Sequence, residues 1–122
     1  MTIKILAVDD SPTMRGLIGA ALTNGGFEVH FAEDGIEGLE QLPESNPDLV
    51  LTDINMPRMD GFGVIEGVRS DPRYASLPVL VLTTESSDDL KARARSAGAT
   101  GWIVKPFDDK RLISVINRVL GI

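Results

Sequence analysis

Residues 47–61 run Pro47-Asp48-Leu49-Val50-Leu51-Thr52-Asp53-Ile54-Asn55-Met56-Pro57-Arg58-Met59-Asp60-Gly61. A short apolar run ends in one acidic residue and turns at once into a segment rich in Pro, Asp and Gly. This predicts a buried strand that delivers the Asp53 carboxylate to its carboxyl end. The same pattern recurs on both sides: Ile3 to Val8 ends at Asp9 and Asp10, Val79 to Leu82 at Thr83, and Trp102 to Val104 at Lys105. Ligands of an open parallel sheet bind just beyond the carboxyl ends of its strands. Asp9, Asp10, Asp53, Thr83 and Lys105 are therefore expected to share one crevice.

Between the strands the sequence has helical spacing. Ser11-Pro12 supplies an N-cap and a proline at the first helical position, followed by Met14, Leu17, Ile18, Ala21 and Leu22 as an apolar face. Gly16 and Gly19 inside that helix each cost about 1 kcal/mol relative to Ala, so packing must hold it. A second strand is expected over 27–32, a short helix over 35–42 and a loop from Pro43 to Pro47. Residues 60–69 read as a third helix with Phe62, Ile65 and Val68 inward, and 70–78 as the longest irregular connection. Ser86-Ser87-Asp88-Asp89 can cap a fourth helix ending near Gly98. Its apolar stripe, Leu90, Ala94 and Ala97, is thin beside the basic Lys91, Arg93 and Arg95, which predicts a weakly anchored helix. The last helix, 108–120, turns Leu112, Val115, Ile116 and Val119 inward. Five strand–helix units in strict alternation imply right-handed crossovers and a doubly wound α/β sheet.

At 122 residues the chain is one domain long enough to bury a core without staples, and the absence of cysteine excludes a disulfide framework. Twelve Lys and Arg against 18 Asp and Glu give a net charge of −6, which argues against binding nucleic acid by phosphate neutralisation. No apolar run reaches the roughly 18 residues of a spanning helix, and the first residues carry no signal-peptide pattern. A cytoplasmic protein without membrane contact is expected. His30, the only histidine, is remote in sequence from any second ligand, and Met56 and Met59 flank a turn, where packing is their ordinary role.

Three carboxylates against one ammonium leave the crevice at a formal −2, and such a cluster either takes up protons or recruits a cation. All-oxygen donors suit Mg²⁺. A carboxylate can also act as a nucleophile that forms an aspartyl phosphate, helped by Mg²⁺ and a lysine. No convincing general base accompanies them, so rapid turnover of an external substrate is not expected.

Val8-Asp9-Asp10-Ser11, residues 53–61, Leu82-Thr83-Thr84 and Lys105-Pro106-Phe107 together resemble the four signatures of the response-regulator receiver domain, and the likeness covers essentially the whole chain. The resemblance implies a flavodoxin-like sheet in the order 2-1-3-4-5 with five helices, as the chemotaxis member of the family shows. It implies one receiver domain over 1–122 without an output domain, acting as a monomer. By this likeness Asp53 is the phosphoacceptor for a sensor histidine kinase. Asp10, Asp53 and the Asn55 backbone carbonyl would ligate Mg²⁺, with Asp9 acting through water. Lys105 would pair with the phosphoryl oxygens and Thr83 would donate its hydroxyl to them.

The family's switch aromatic falls on Trp102, where Tyr or Phe is usual. Its indole is expected either to rotate into the space that Thr83 vacates or to stay fixed at a docking surface. Asn55 and Glu85 occupy the positions that tune dephosphorylation, and Lys105-Pro106 matches a cis peptide bond. The Asp-Ser-Pro-Thr-Met-Arg segment and residues 56–61 point to the chemotaxis type, with the flagellar motor switch as target and protein binding as output. Three other readings can be set against this one. A phosphate sink or a regulator of another kinase pathway would share the site. A phosphatase with an aspartate nucleophile would need a second acid at position 55, which holds Asn, and a flavodoxin would need a glycine- and hydroxyl-rich loop where Asp9-Asp10-Ser11-Pro12 stands.

Overall fold

A computed structural model describes residues 2–122. Five parallel strands, β1 (Lys4–Val8), β2 (Glu28–Ala32), β3 (Leu49–Thr52), β4 (Val79–Thr83) and β5 (Gly101–Val104), form one sheet in the order β2-β1-β3-β4-β5. Five helices connect and cover them: α1 (Pro12–Asn24), α2 (Gly35–Ser45), α3 (Gly61–Ser70), α4 (Asp88–Ala97) and α5 (Asp109–Leu120). Alternation along each strand divides the core in two. Ile5 and Ala7 of β1 face α1 and α5 with Ile18, Leu22, Leu112 and Ile116. Leu6 and Val8 face the other way, toward Leu42 of α2, Phe62, Ile65 and Val68 of α3, and Ala94 of α4. Apolar residues on both faces explain why β1, β3 and β4 read as unbroken apolar runs.

The expected doubly wound sheet and its strand order are both present. Among the local expectations, three need correction. The loop expected from Pro43 to Pro47 is in part helix, because α2 continues through Pro43 to Ser45. Buried Leu42 and Ser45 hold that last turn, Ser45 Oγ donates to the Gln41 carbonyl at 2.8 Å, and Asn46 in the left-handed region (φ 46°) closes it. Leu17 does not join the core and is 54% exposed, so Ile18, Ala21 and Leu22 carry the inner face of α1. The connection at 70–78 is not wholly irregular, since Pro72–Tyr74 forms a 3₁₀ turn capped by Asp71.

α4 buries only Ala94, as its thin stripe suggests, yet arginines secure it. Arg93 lies over the Phe62 ring at 3.8 Å, and Arg69 Nε donates to the Gly98 carbonyl at 2.9 Å. Arg69 Nη1 also donates to the Leu77 carbonyl at 2.7 Å, joining the end of α3, the approach to β4 and the end of α4. Burial of this guanidinium pulls its pKa down from the ordinary arginine value.

Two glycines carry opposite predictions. Gly61 opens α3 at the end of the loop that follows β3, where an added Cβ would overlap the Asp53 carbonyl oxygen and lie 2.9 Å from Ile54 Cα. Gly16 lies within α1, and a Cβ there meets nothing within 4 Å. Urea unfolding should show Gly61→Ala losing about 1–3 kcal/mol through overpacking and Gly16→Ala gaining about 0.5–1 kcal/mol through helix propensity. Equal shifts of the two midpoints would contradict this packing.

Candidate functional site

The site forms where β1, β3 and β5 end. Ser11 caps α1 through Met14 N–H, so the chain must turn directly after β1, and this turn presents Asp9 and Asp10. The Asp9 side chain is 2% exposed and both its oxygens are occupied: Oδ1 accepts from Ser11 N–H at 2.9 Å, and Oδ2 from Lys105 Nζ at 2.8 Å. Asp10 is exposed and accepts no hydrogen bond among the described residues. Asp53 Oδ1 accepts from Ile54 N–H at 2.7 Å, and Oδ2 from Lys105 Nζ at 2.9 Å, with 12% of the side chain exposed. One oxygen each from Asp9, Asp10 and Asp53 can be chosen so that all lie within 4.8 Å of one another.

Lys105 reaches this cluster from beyond β5, and its side chain is 8% exposed. Burial alone would lower its pKa, but hydrogen bonds to Asp9 and Asp53, with their charges, outweigh burial and hold the ammonium above the ordinary lysine value. The Lys105-Pro106 peptide bond is cis. Arg15 adds a second cation behind the cluster, with Nη1 donating to the Asp9 carbonyl at 2.7 Å.

Of the five residues expected in the crevice, Asp9, Asp10, Asp53 and Lys105 come together directly. Thr83 stands at the buried end of β4, and its side chain makes no hydrogen bond to Asp53 or Lys105 among the described residues. Its hydroxyl accepts from Glu85 N–H at a long 3.4 Å, and its carbonyl accepts from Lys105 N–H at 2.7 Å. Trp102 pairs with Val81 in the β4–β5 register, so alternation places Trp102 and Thr83 on the same face of the sheet. The indole is half-buried and donates from Nε1 to the Glu85 carbonyl at 3.0 Å. The Glu85 side chain turns the other way and accepts from Asn55 Nδ2 at 3.0 Å.

His30 lies away from the cluster, on β2, with Nε2 2.6 Å from Glu28 Oε2. Met56 packs against the core beneath α3. Sequence reasoning missed a clamp between the loop 53–61 and the start of α2. Arg58, in the left-handed region at φ 64°, donates through Nε and Nη2 to the two oxygens of Asp34 at 2.8 and 3.1 Å. The hydrogen bond from Arg58 and that from Glu37 N–H, in that order, hold the Asp34 carboxyl below the usual carboxylate range. The only sequence signal was Asp34-Gly35 after β2, an N-cap pattern that gives no hint of its second partner.

No helix among the described residues is long and apolar enough to cross a membrane. The family model of the response regulator receiver domain matches residues 5–117. Chemotaxis protein CheY1 of Helicobacter pylori strain 26695 is 41% identical over 122 residues, covering 98% of both chains. The structure of chemotaxis protein CheY4 of Vibrio cholerae superposes with a TM-score of 0.93 at 40% identity, covering 98% of this chain and 99% of that one. The receiver domain of a sensor histidine kinase from Pseudomonas aeruginosa PAO1, solved with a magnesium ion coordinated in its active-site cleft, gives 0.91 at 25% identity and covers 100% of both. With end-to-end relatives and the same five-stranded order, the chain belongs to the response-regulator receiver family and is CheY-like.

Proposed function

We propose that this protein is a phosphorylation switch of a two-component pathway. Asp53 accepts a phosphoryl group from a phosphohistidine on a sensor kinase, and the output is altered protein binding. The observation that carries this reading is the Asp9, Asp10 and Asp53 cluster with Lys105 Nζ spanning Asp9 and Asp53. In the transfer a P–O bond forms to an Asp53 carboxylate oxygen while the P–N bond to the donor imidazole breaks, and that imidazole takes a proton from solvent. Lys105 lies beside the attacked carboxylate, so its ammonium can follow the charge onto the phosphoryl oxygens.

The donor set is all oxygen, which fits Mg²⁺ better than softer metals. Asp10, with its free carboxylate, Asp53 and the Asn55 carbonyl would hold it, while Asp9, both oxygens engaged, would act through water or charge. Bound there, Mg²⁺ would neutralise the phosphoryl oxygens during transfer. The magnesium in the Pseudomonas receiver domain supports this assignment. Among the described residues no histidine stands beside the carboxylates, and Asp10 would be taken up by the metal, so the chemistry is one self-catalysed transfer followed by hydrolysis, not rapid turnover of an external substrate.

Thr83 then donates its hydroxyl to the phosphoryl group and draws the following loop inward. Glu85 belongs to that loop and its carbonyl holds the Trp102 indole, so the pull reaches the face formed by α4, β5 and α5. A two-state surface is biased because phosphate favours one state. The chemotaxis relatives support a chemotaxis kinase as donor and the flagellar motor switch as target.

Intact mass after incubation with a small acyl phosphate tests the chemistry. Wild type should gain one phosphate only when Mg²⁺ is present, and Asp53→Asn none. Mg²⁺-independent labelling, or equal labelling of Asp53→Asn, would refute the assignment. The Asn55 and Glu85 pair at the lip of the site favours rapid loss, so phospho-Asp53 should decay within seconds to minutes once the donor is removed. Persistence for hours in the isolated protein would contradict this role for the pair.

A further inference from the structure

The acceptor loop from Asp53 to Gly61 lies at the rim of the site, and two devices tie it down. Within the loop, Gly61 N–H donates to the Ile54 carbonyl at 2.8 Å. Across to the start of α2, Gly35 N–H donates to the Met59 carbonyl at 3.1 Å, and the Arg58 fork grips both oxygens of Asp34. Asp34 Oδ1 also accepts from Glu37 N–H at 2.9 Å, so one carboxylate both caps α2 and receives the guanidinium. The Asp34 side chain is 9% exposed and that of Arg58 57%. A left-handed backbone suits glycine at position 58, so the arginine is held there against a conformational preference by what its side chain does. Bidentate pairing fixes orientation as well as distance, which a single lysine-like contact would not.

We propose that Arg58, with Asp34, is a positioning residue for metal binding: the fork sets the acceptor loop so that the Asn55 backbone carbonyl is already placed for Mg²⁺. This rests on the Mg²⁺ reading above. Neither side chain touches the reacting atoms, so the clamp acts on metal affinity and not on the transfer step itself. Outer-shell partners of metal ligands commonly contribute about 10- to 100-fold in affinity. An exposed arginine belongs at the low end of that range.

Calorimetric titration with Mg²⁺ tests the clamp on wild type, Arg58→Gly, Arg58→Ala, Asp34→Asn and the Arg58→Ala/Asp34→Asn double variant. Arg58→Gly relieves the left-handed backbone while removing the fork, and Asp34→Asn keeps an N-capping oxygen, so each variant separates the clamp from folding. Each single change should weaken Mg²⁺ binding about tenfold, and the double variant should be no weaker than either single one. Phosphorylation by an acyl phosphate at saturating Mg²⁺ should stay within about twofold of wild type. Without metal, the Gly35 and Gly61 amides should exchange faster with deuterated solvent in the Arg58 variants. Wild-type affinity in those variants, additive losses, slowed transfer at saturating Mg²⁺, or unchanged exchange would each overturn the clamp. Asp10→Asn serves as reference: if it abolishes Mg²⁺ binding while the Arg58 variants bind normally, only the clamp fails. If wild type itself takes no Mg²⁺, the metal assignment fails and the clamp's role with it.

Discussion

A single ammonium group joins the two ends of this molecule. Lys105 Nζ donates to Asp9 at 2.8 Å and to Asp53 at 2.9 Å, linking residues 96 and 52 positions away in sequence. Two carboxylates this close to a third and this deeply buried would repel one another without it. Removing one partner from such a buried pair costs about 3–5 kcal/mol, because the remaining charge is left uncompensated. β1 pairs Val8 with Thr52 of β3, Thr52 pairs with Val81 of β4 and Val81 with Trp102 of β5, so β5 runs two residues past β3 and Lys105 reaches back to Asp9 and Asp53 at the same edge of the sheet. The fold thus appears in the site as a matter of register: a shift of one residue in β3 or β5 would turn these side chains to the opposite face.

Much of this was legible because a buried parallel strand leaves an unmistakable pattern. An apolar run such as Val79-Leu80-Val81-Leu82 followed by one polar residue states both the strand and its functional end. Strand order was not legible from periodicity, since order depends on which apolar faces meet, and it came from resemblance. Pro43 misled because proline is disfavoured inside helices, yet burial of Leu42 and Ser45 on either side outweighs the lost donor. Leu17 misled because helical spacing cannot show how wide the covering sheet is. The polar contacts were the least visible. Arg58 with Asp34, Arg69 with the Gly98 carbonyl, and Trp102 with Glu85 join residues 17 to 29 positions apart through backbone or side-chain oxygens, and they leave no periodic trace.

The same contacts describe how α4 is held. Its far end is fixed, with Arg69 on the Gly98 carbonyl and Gly98 itself at φ +113°. Its near end follows the loop that contains Glu85, and that loop is held by Asn55 on one side and Trp102 on the other. An element secured at one end and tethered at the other by single hydrogen bonds can shift without unfolding the core. Glu85 is therefore where events at the carboxylates would meet the outer face of β5.

Trp102 is the sole tryptophan, so its emission reports that junction without labelling. In the proposed switch, phosphate on Asp53 reaches Trp102 through Thr83 and the Glu85 carbonyl, which already accepts from the indole. The direct measurement is Trp102 fluorescence followed alongside phosphate incorporation in wild type and Thr83→Ala. The account predicts an emission change that tracks incorporation in wild type, and phosphorylation of Thr83→Ala without that change. Full incorporation with unaltered emission in wild type, or the same change in Thr83→Ala, would contradict it.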